Sequence, residues 1–521
     1  MHEATARDDA SAASPSLTRA GSLPPLGRAP LPPFPGWLAA LGPGVIWMAL
    51  AQGSGELIFW PYLIAKYQLG FLFLLIPACL IQWPLTVEIG RYTALTGESI
   101  WQGFIRLHPL YTLPLWALMI VSFLWFGAFA SSGGTALAAL TGFPSGWSTP
   151  AQSLFWAYVT IAILFACLVL SRVIYRFIEL FMTGVALVTV VGLALACAHE
   201  SVLPRLPEFL AGVVWPQPLA RPWDPADAKS LVTGLTFAGL GGFWMLFYSY
   251  WLREKGVAMA GHAKHMTGLL DPEAVLGEKG VPASERVARG DRIREERENP
   301  ALALARDLGT GAVPEDTPES AATLRRWLRF LWLDSGIGIF GNILTTLMTC
   351  LLAFVLLAPK GALPNGWNIA VVQSEFFAQT WGEVGRALFL VISAAFLSDT
   401  WLTTADAVSR VNTDVVRNLF PAARKRSQRW WYFVFLFGVT AVTCATMPLA
   451  QPGVLLELSA ITGLVGVVCF SVGVWVLNYR WLPERLPEFA RPGGVGKWVL
   501  VGVCVSYGAL VTIYIWLEFS G

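Results

Sequence analysis

Gln52-Gly53-Ser54-Gly55-Glu56 sits inside an otherwise apolar stretch, between Trp47-Met48-Ala49-Leu50-Ala51 and Leu57-Ile58-Phe59-Trp60-Pro61-Tyr62. Glycine costs a helix interior about 1 kcal/mol against alanine, so two glycines around a polar residue predict an unwound turn midway through a membrane-length segment. Ala238-Gly239-Leu240-Gly241-Gly242, ahead of Phe243-Trp244-Met245-Leu246-Phe247-Tyr248, repeats the arrangement. Glycine-interrupted spans at matching positions of two five-span halves are the pattern of inverted-repeat secondary transporters, whose freed backbone groups can ligate a substrate or ion. The same glycines could serve only close helix packing; finding two matched breaks favours a site.

Of the 521 residues, 55% are hydrophobic and 13% charged, against roughly 25% charged in an average soluble protein. This excludes an ordinary soluble enzyme and predicts a polytopic membrane protein embedded in a lipid bilayer. Apolar runs define eleven segments at about 37–66, 69–96, 110–141, 151–171, 174–198, 230–252, 328–358, 386–413, 430–449, 453–478 and 496–518. Residues 1–35, rich in Pro, Ala and Ser, read as a disordered cytoplasmic tail. Spans one to six fill 36–255, a hydrophilic cytoplasmic insert fills 256–325, and spans seven to eleven fill 326–521. With the N-terminus inside, 30 of the 36 Lys and Arg face the cytoplasm; the other 6 are Lys66, Arg205, Arg221, Lys229, Lys360 and Arg386. The expectation is a multi-pass cell-membrane protein with its N-terminus cytoplasmic and its C-terminus outside.

An ionisable group deep in a span costs roughly 2.5–3.5 kcal/mol, so each is a functional candidate. The set is Glu56, Glu88, Glu179, Asp334, Asp399, Asp406 and Glu457, all acidic, which suits a cation or proton route. Glu88 can pair with Arg91, Glu179 with Arg176 and Asp406 with Arg410 at helical spacing. Glu56 has no basic residue within four positions, which singles it out as the metal-binding candidate. Asp399, Leu402, Thr403 and Asp406 fall on one helical stripe; with Glu88, the two aspartates are candidates for a proton pathway.

The seven cysteines lie in apolar runs without CxxC spacing and read as core residues. His2, His108, His199, His262 and His265 all fall outside the spans and form no metal-ligand spacing. Phosphate-loop, nucleophile-elbow and zinc-protease motifs are missing from suitable contexts. No catalytic residue, no cofactor and no nucleic-acid partner is expected.

Gly42-Pro43-Gly44-Val45-Ile46, the break ten residues after Gly42, Tyr67-Gln68-Leu69-Gly70, Arg176-Phe177-Ile178-Glu179 and the eleven spans together resemble the Nramp (natural resistance-associated macrophage protein) family of proton-coupled divalent-metal transporters. The resemblance implies an all-α integral membrane protein of LeuT-type 5+5 inverted-repeat fold, with discontinuous first and sixth spans and alternating access. That family carries Asp-Pro-Gly-Asn at the first break and Met-Pro-His at the sixth. Here those places hold Gly53-Ser54-Gly55-Glu56 and Phe243-Trp244-Met245. The implied site is therefore Gly53, Ser54, Gly55 and Glu56 together with Gly241, Gly242, Phe243, Trp244 and Met245. Its oxygen-rich donors point to a small hard cation such as magnesium over iron or manganese.

Gly53-Ser54-Gly55 followed by Pro61 also resembles the break of amino-acid permeases in the amino acid-polyamine-organocation superfamily, which implies an amino-acid or other organic-solute symporter. A non-transporting membrane sensor signalling through the 256–325 insert is the remaining alternative.

Overall fold

The computed structural model describes residues 23–53, 57–171, 173–263, 266 and 310–520. Ten helical stretches among them are long and apolar enough to cross a membrane. One of these, Ile58–Thr96, is 39 residues long, where a single crossing needs about 20. The chain turns within it at Gln68, whose φ is +53°. It therefore holds the second half of the first span and the whole of the second, which reconciles ten helical stretches with the eleven segments read from hydropathy.

The first span is split into α1 (Pro43–Ala51) and α2 (Leu57–Tyr67). The second ends in α3 (Gln82–Thr96), and α4 (Ile100–Leu107) is a short connector. The third bends between α5 (Pro109–Phe123) and α6 (Gly127–Thr141); α7 (Thr149–Leu170) and α8 (Ile174–Cys197) follow. The sixth is split into α9 (Ala228–Phe237) and α10 (Tyr248–Lys255), and the rest are α11 (Pro318–Leu352), α12 (Glu375–Leu419), α13 (Gln428–Thr446), α14 (Pro452–Val476) and α15 (Gly494–Ser520). Helix α12 merges a short helix with the eighth span across a kink at Trp381 and Gly382.

Burial separates the helices into a core and a rim. In the most apolar 18-residue window, 83% of the Pro225–Lys255 stretch and 78% of α12 are buried, against 28% of α7, 22% of the Gln428–Leu449 stretch and 17% of the last. Apolar side chains left bare on the rim, such as Ile163, Phe437 and Ile513, suit a lipid surface, where exposing an apolar group costs nothing. The core helices are α1, α9, α10, α11 and α12. Helix α11 lies along α1, α12 packs on α6 and α8, and α14 packs on α5 and on the restart of the sixth span.

Residues 23–35, within the stretch read from composition as a disordered tail, follow a defined path. Gly27–Ala29 (β1) pairs in parallel with Ala312–Pro314 (β2), in register Gly27 to Ala312. Trp327 Nε1 donates to the carbonyl of Pro32 at 3.1 Å, and Arg106 Nη1 donates to that of Pro24 at 2.9 Å. Composition misses this because the partners lie far along the chain. The same contacts place 310–317, inside the stretch read as the insert, against the helical bundle.

Candidate functional site

The sixth span breaks because its backbone leaves the helix at Ala238 and takes positive φ at four successive positions: Gly239, Leu240, Gly241 and Gly242. A leucine at φ 148° is strained, by about 1–3 kcal/mol. At Gly241 a Cβ would run into the carbonyl of Thr236, so glycine is required there. The chain then restarts as a tight 3-10 turn, Gly242–Phe247, before α10.

Two side chains from other spans take up the freed backbone groups. Gln82, at the start of α3, donates from Nε2 to the carbonyls of Ala238 and Thr236 and accepts the Gly241 N–H on Oε1 at 2.9 Å. Trp47 of α1 donates its indole N–H to the carbonyl of Gly239, so the first half-helix is tied to the break of the sixth span. Neither residue stands out in the sequence as a site residue. The signal for Gln82 is a neutral amide in an apolar span, which a survey of ionisable groups passes over.

The restart itself is walled with rings. Phe243 is buried among Trp101, Phe123 and Phe470, and Trp244 is edge-on to Phe123, Phe129 and Phe237. Trp244 Nε1 donates to Thr404 Oγ1 of α12 at 2.9 Å. Met245 is fully buried, and no group of three or more His, Cys, Asp or Glu among the described residues could hold a metal ion.

At the first break α1 ends at Ala51, and Gln52 and Gly53 continue as a wider turn. Ser54, Gly55 and Glu56 lie outside the described residues, and with them the expected metal ligand. Gly53 abuts α12: a Cβ there would run into Thr400 Oγ1. Thr400 Oγ1 donates to the carbonyl of Phe396 at 3.1 Å and lies 3.5 Å from that of Leu50, near the end of α1. Beside it, Asp399 is fully buried, receives only a long contact from Thr400 at 3.4 Å, and leaves Oδ2 without a partner. Gln52 is buried with neither amide atom bonded, and it lines a cavity formed with Thr189, Leu193, Thr345, Thr349, Phe377, Phe389, Ile392 and Phe396.

The other acids are mostly committed to structural pairs. Asp406 is bound by Arg410 Nε at 2.8 Å and by Tyr432 Oη at 2.7 Å. Glu88 is bound by Arg91 at 3.1 Å and Asn478 Nδ2 at 2.9 Å. Both carboxylates are thus engaged by a guanidinium and a second polar group. Of the three acids proposed for a proton pathway, Asp399 alone is free of a base. Glu179 is held by Lys255 Nζ at 2.7 Å, not by the helical neighbour Arg176. Glu457 accepts from Ser230 Oγ at 2.7 Å.

No family model and no curated protein matches the chain. Solved structures do. A manganese transporter of Eremococcus coleocola, in complex with an aromatic bis-isothiourea substituted compound, is similar with a TM-score of 0.54 at 12% identity, over 94% of this chain and 90% of that one. MhsT in complex with L-phenylalanine is similar with a TM-score of 0.51 at 14% identity, over 94% and 99%. At such identities the likeness defines the fold, and that fold is the all-helical architecture of the LeuT-type transporters.

Proposed function

We propose that the protein is a secondary active transporter that works by alternating access and binds a small cation where α1 meets α12. The observation that carries this reading is Asp399. The terminal carbonyls of a helix bear a partial negative charge, and a buried carboxylate without a base, joined to the Leu50 carbonyl through the Thr400 hydroxyl that lies 3.4 Å from Asp399 Oδ1 and 3.5 Å from the Leu50 oxygen, adds to it. A bound cation or proton offsets both. The donors are a carboxylate, a hydroxyl and carbonyls, all oxygen, which suit a hard ion over a transition metal. Glu56, as an expectation from sequence, would supply a second carboxylate at the same break, with Gly53, Ser54, Gly55, Gly241 and Gly242 contributing backbone and Phe243, Trp244 and Met245 forming the facing wall.

A second reading is favoured by that wall. The rings around Trp244 offer apolar surface and no charge, which fits an organic solute as cargo with the cation as its driving ion.

Purified protein reconstituted in liposomes tests both, with magnesium, manganese and phenylalanine offered separately under proton and sodium gradients. Gradient-driven magnesium uptake that Asp399→Asn abolishes is the expected result. Phenylalanine uptake lost with Asp399→Asn would transfer the cargo role to the organic solute. No uptake of any of the three under either gradient overturns the transport reading and leaves a sensor.

A further inference from the structure

Seven carboxylates among the described residues are fully or nearly fully buried: Glu88, Glu98, Asp227, Asp334, Asp399, Asp406 and Asp414. Five are ion-paired, to Arg91 at 3.1 Å, Arg106 at 2.6 Å, Lys66 at 2.6 Å, Arg410 at 2.8 Å and Arg253 at 3.1 Å respectively. The two without a base, Asp334 and Asp399, bracket opposite ends of the same nine-residue half-helix, α1. Asp399 is joined to its C-terminal end through Thr400, whose Oγ1 lies between Asp399 Oδ1 and the Leu50 carbonyl. Asp334 faces its N-terminal end.

Asp334 stands on α11, where α11 and α1 are packed backbone to backbone. A Cβ on Gly44 would overlap the main-chain carbonyl of Asp334, and one on Gly338 would lie 2.9 Å from the ring of Trp47. The Asp334 carboxylate accepts from Tyr248 Oη at 2.9 Å on Oδ2, and its Oδ1 makes no hydrogen bond. The carboxyl carbon lies 3.0 Å from where a Cβ on Gly44 would stand, so the group abuts the first turn of α1. Tyr248 in turn sets its ring edge-on to Trp47, 5.5 Å between centroids. One carboxylate thus touches α1, α10 and α11, and two of these are the half-helices that follow the breaks of a LeuT-type fold or precede them.

We propose that Asp334 is a proton-binding residue that latches α1: charged, it holds the positive N-terminal end of the half-helix; protonated, it releases it. The inference rests on the transport reading for its purpose. The proton is taken from water on one side onto a carboxylate oxygen and returned to water on the other, so nothing else is consumed. Attraction between an anion and a helix N-terminus vanishes when the anion is neutralised, whereas the Tyr248 hydroxyl can hydrogen-bond either form. The other ionisable groups around this end of α1 are Tyr175 and Glu179 of α8, Glu254 and Lys255 of α10 and Arg410 of α12, with Glu179 paired to Lys255 and Glu254 to Arg410. Helix α1 carries no ionisable side chain, and the acid of α3, Glu88, is turned away to Arg91 and Asn478.

Hydrogen–deuterium exchange of the 43–51 segment in the purified full-length protein tests the latch without any cargo. After correction for the intrinsic pH dependence of exchange, lowering the pH from 8 to 5.5 should speed exchange in wild type about fivefold, the size of one helix-end charge interaction. Asp334→Asn should exchange fast at both pH values, and Asp334→Glu should restore the dependence. A wild-type-like pH response in Asp334→Asn overturns the proposal, as does a flat wild-type response. Should Asp334→Asn not fold, Tyr248→Phe, which leaves the carboxylate with one contact fewer, must move the midpoint of the response; an unmoved midpoint also overturns it. Loss of uptake in liposomes with a pH-dependent latch intact would sink the transport reading alone.

Discussion

Trp244 Nε1 sits 2.9 Å from Thr404 Oγ1 and donates to it, tying the restart of the sixth span to the eighth. The indole is also the hub of the ring cluster with Phe123, Phe129 and Phe237. Trp244→Phe keeps a ring and removes the donor, leaving the buried Thr404 short of a partner; the expected cost is about 1 kcal/mol. Trp244→Ala also opens a cavity and should cost about 3–5 kcal/mol. Unfolding midpoints of the two variants in one detergent should fall in that order, and equal midpoints would show that the ring contacts contribute little.

Among the described residues Glu98 and Arg106 form the most enclosed ion pair, with side chains 0% and 5% exposed and the second carboxylate oxygen shared with Tyr92. Removing either partner leaves a buried charge alone, so Arg106→Gln should destabilise by about 3–5 kcal/mol, while Glu98→Gln with Arg106→Leu together should recover much of it. Burial alone would push the Glu98 carboxyl up, but the Arg106 guanidinium and the Gly311 N–H overcome it and hold the group below the usual glutamate range. A depressed folded value means that the pair's stabilisation is present above the unfolded glutamate value of about 4.3 and is lost as pH falls through the lower folded value. Acid titration of the unfolding midpoint should therefore show a component in wild type that Glu98→Gln lacks.

Glu179 and Lys255 are about one-fifth exposed each, so their pair should be modest. A double-mutant cycle of Glu179→Gln with Lys255→Gln should return a coupling of roughly 1 kcal/mol. The same cycle run with Arg176→Gln should return none; a coupling there would restore the helical pairing that spacing alone suggests.

Glu56→Gln keeps shape and removes charge at the first break. It should abolish cation-induced stabilisation and cation-coupled uptake while leaving the fold intact, and Asp399→Asn should do the same. If Glu56 only caps the restarted half-helix, the change costs about 0.3–1 kcal/mol of stability and coupling stays near native. Ligand-induced melting shifts on both variants separate these outcomes.

The split of basic residues, 30 to 6, predicts a cytoplasmic 256–325 segment and an outward C-terminus. A reporter fused after Gly521 that proves cytoplasmic would remove this orientation.

The membrane class, the number of apolar spans and the two broken spans were legible in the order of residues, because each depends on local composition: about twenty apolar residues are needed to cross, and clustered glycines weaken a helix. The sequence also picked out four of the seven buried acids among the described residues, Glu88, Asp334, Asp399 and Asp406, and missed Glu98, Asp227 and Asp414, which lie at or beyond the ends of the apolar runs. What it could not determine was which of those acids is neutralised. Glu179 lies three residues from Arg176 yet pairs with Lys255. Asp334 and Asp399 are left without a base by the packing of α1, α11 and α12, not by anything in their own neighbourhoods. Likewise Gln82 and Trp47 became partners of the sixth-span break only once distant helices met around it. The order of residues sets charge and helical period at short range, whereas the pairing of polar groups in a low-dielectric interior is settled by whichever partner tertiary packing brings within reach.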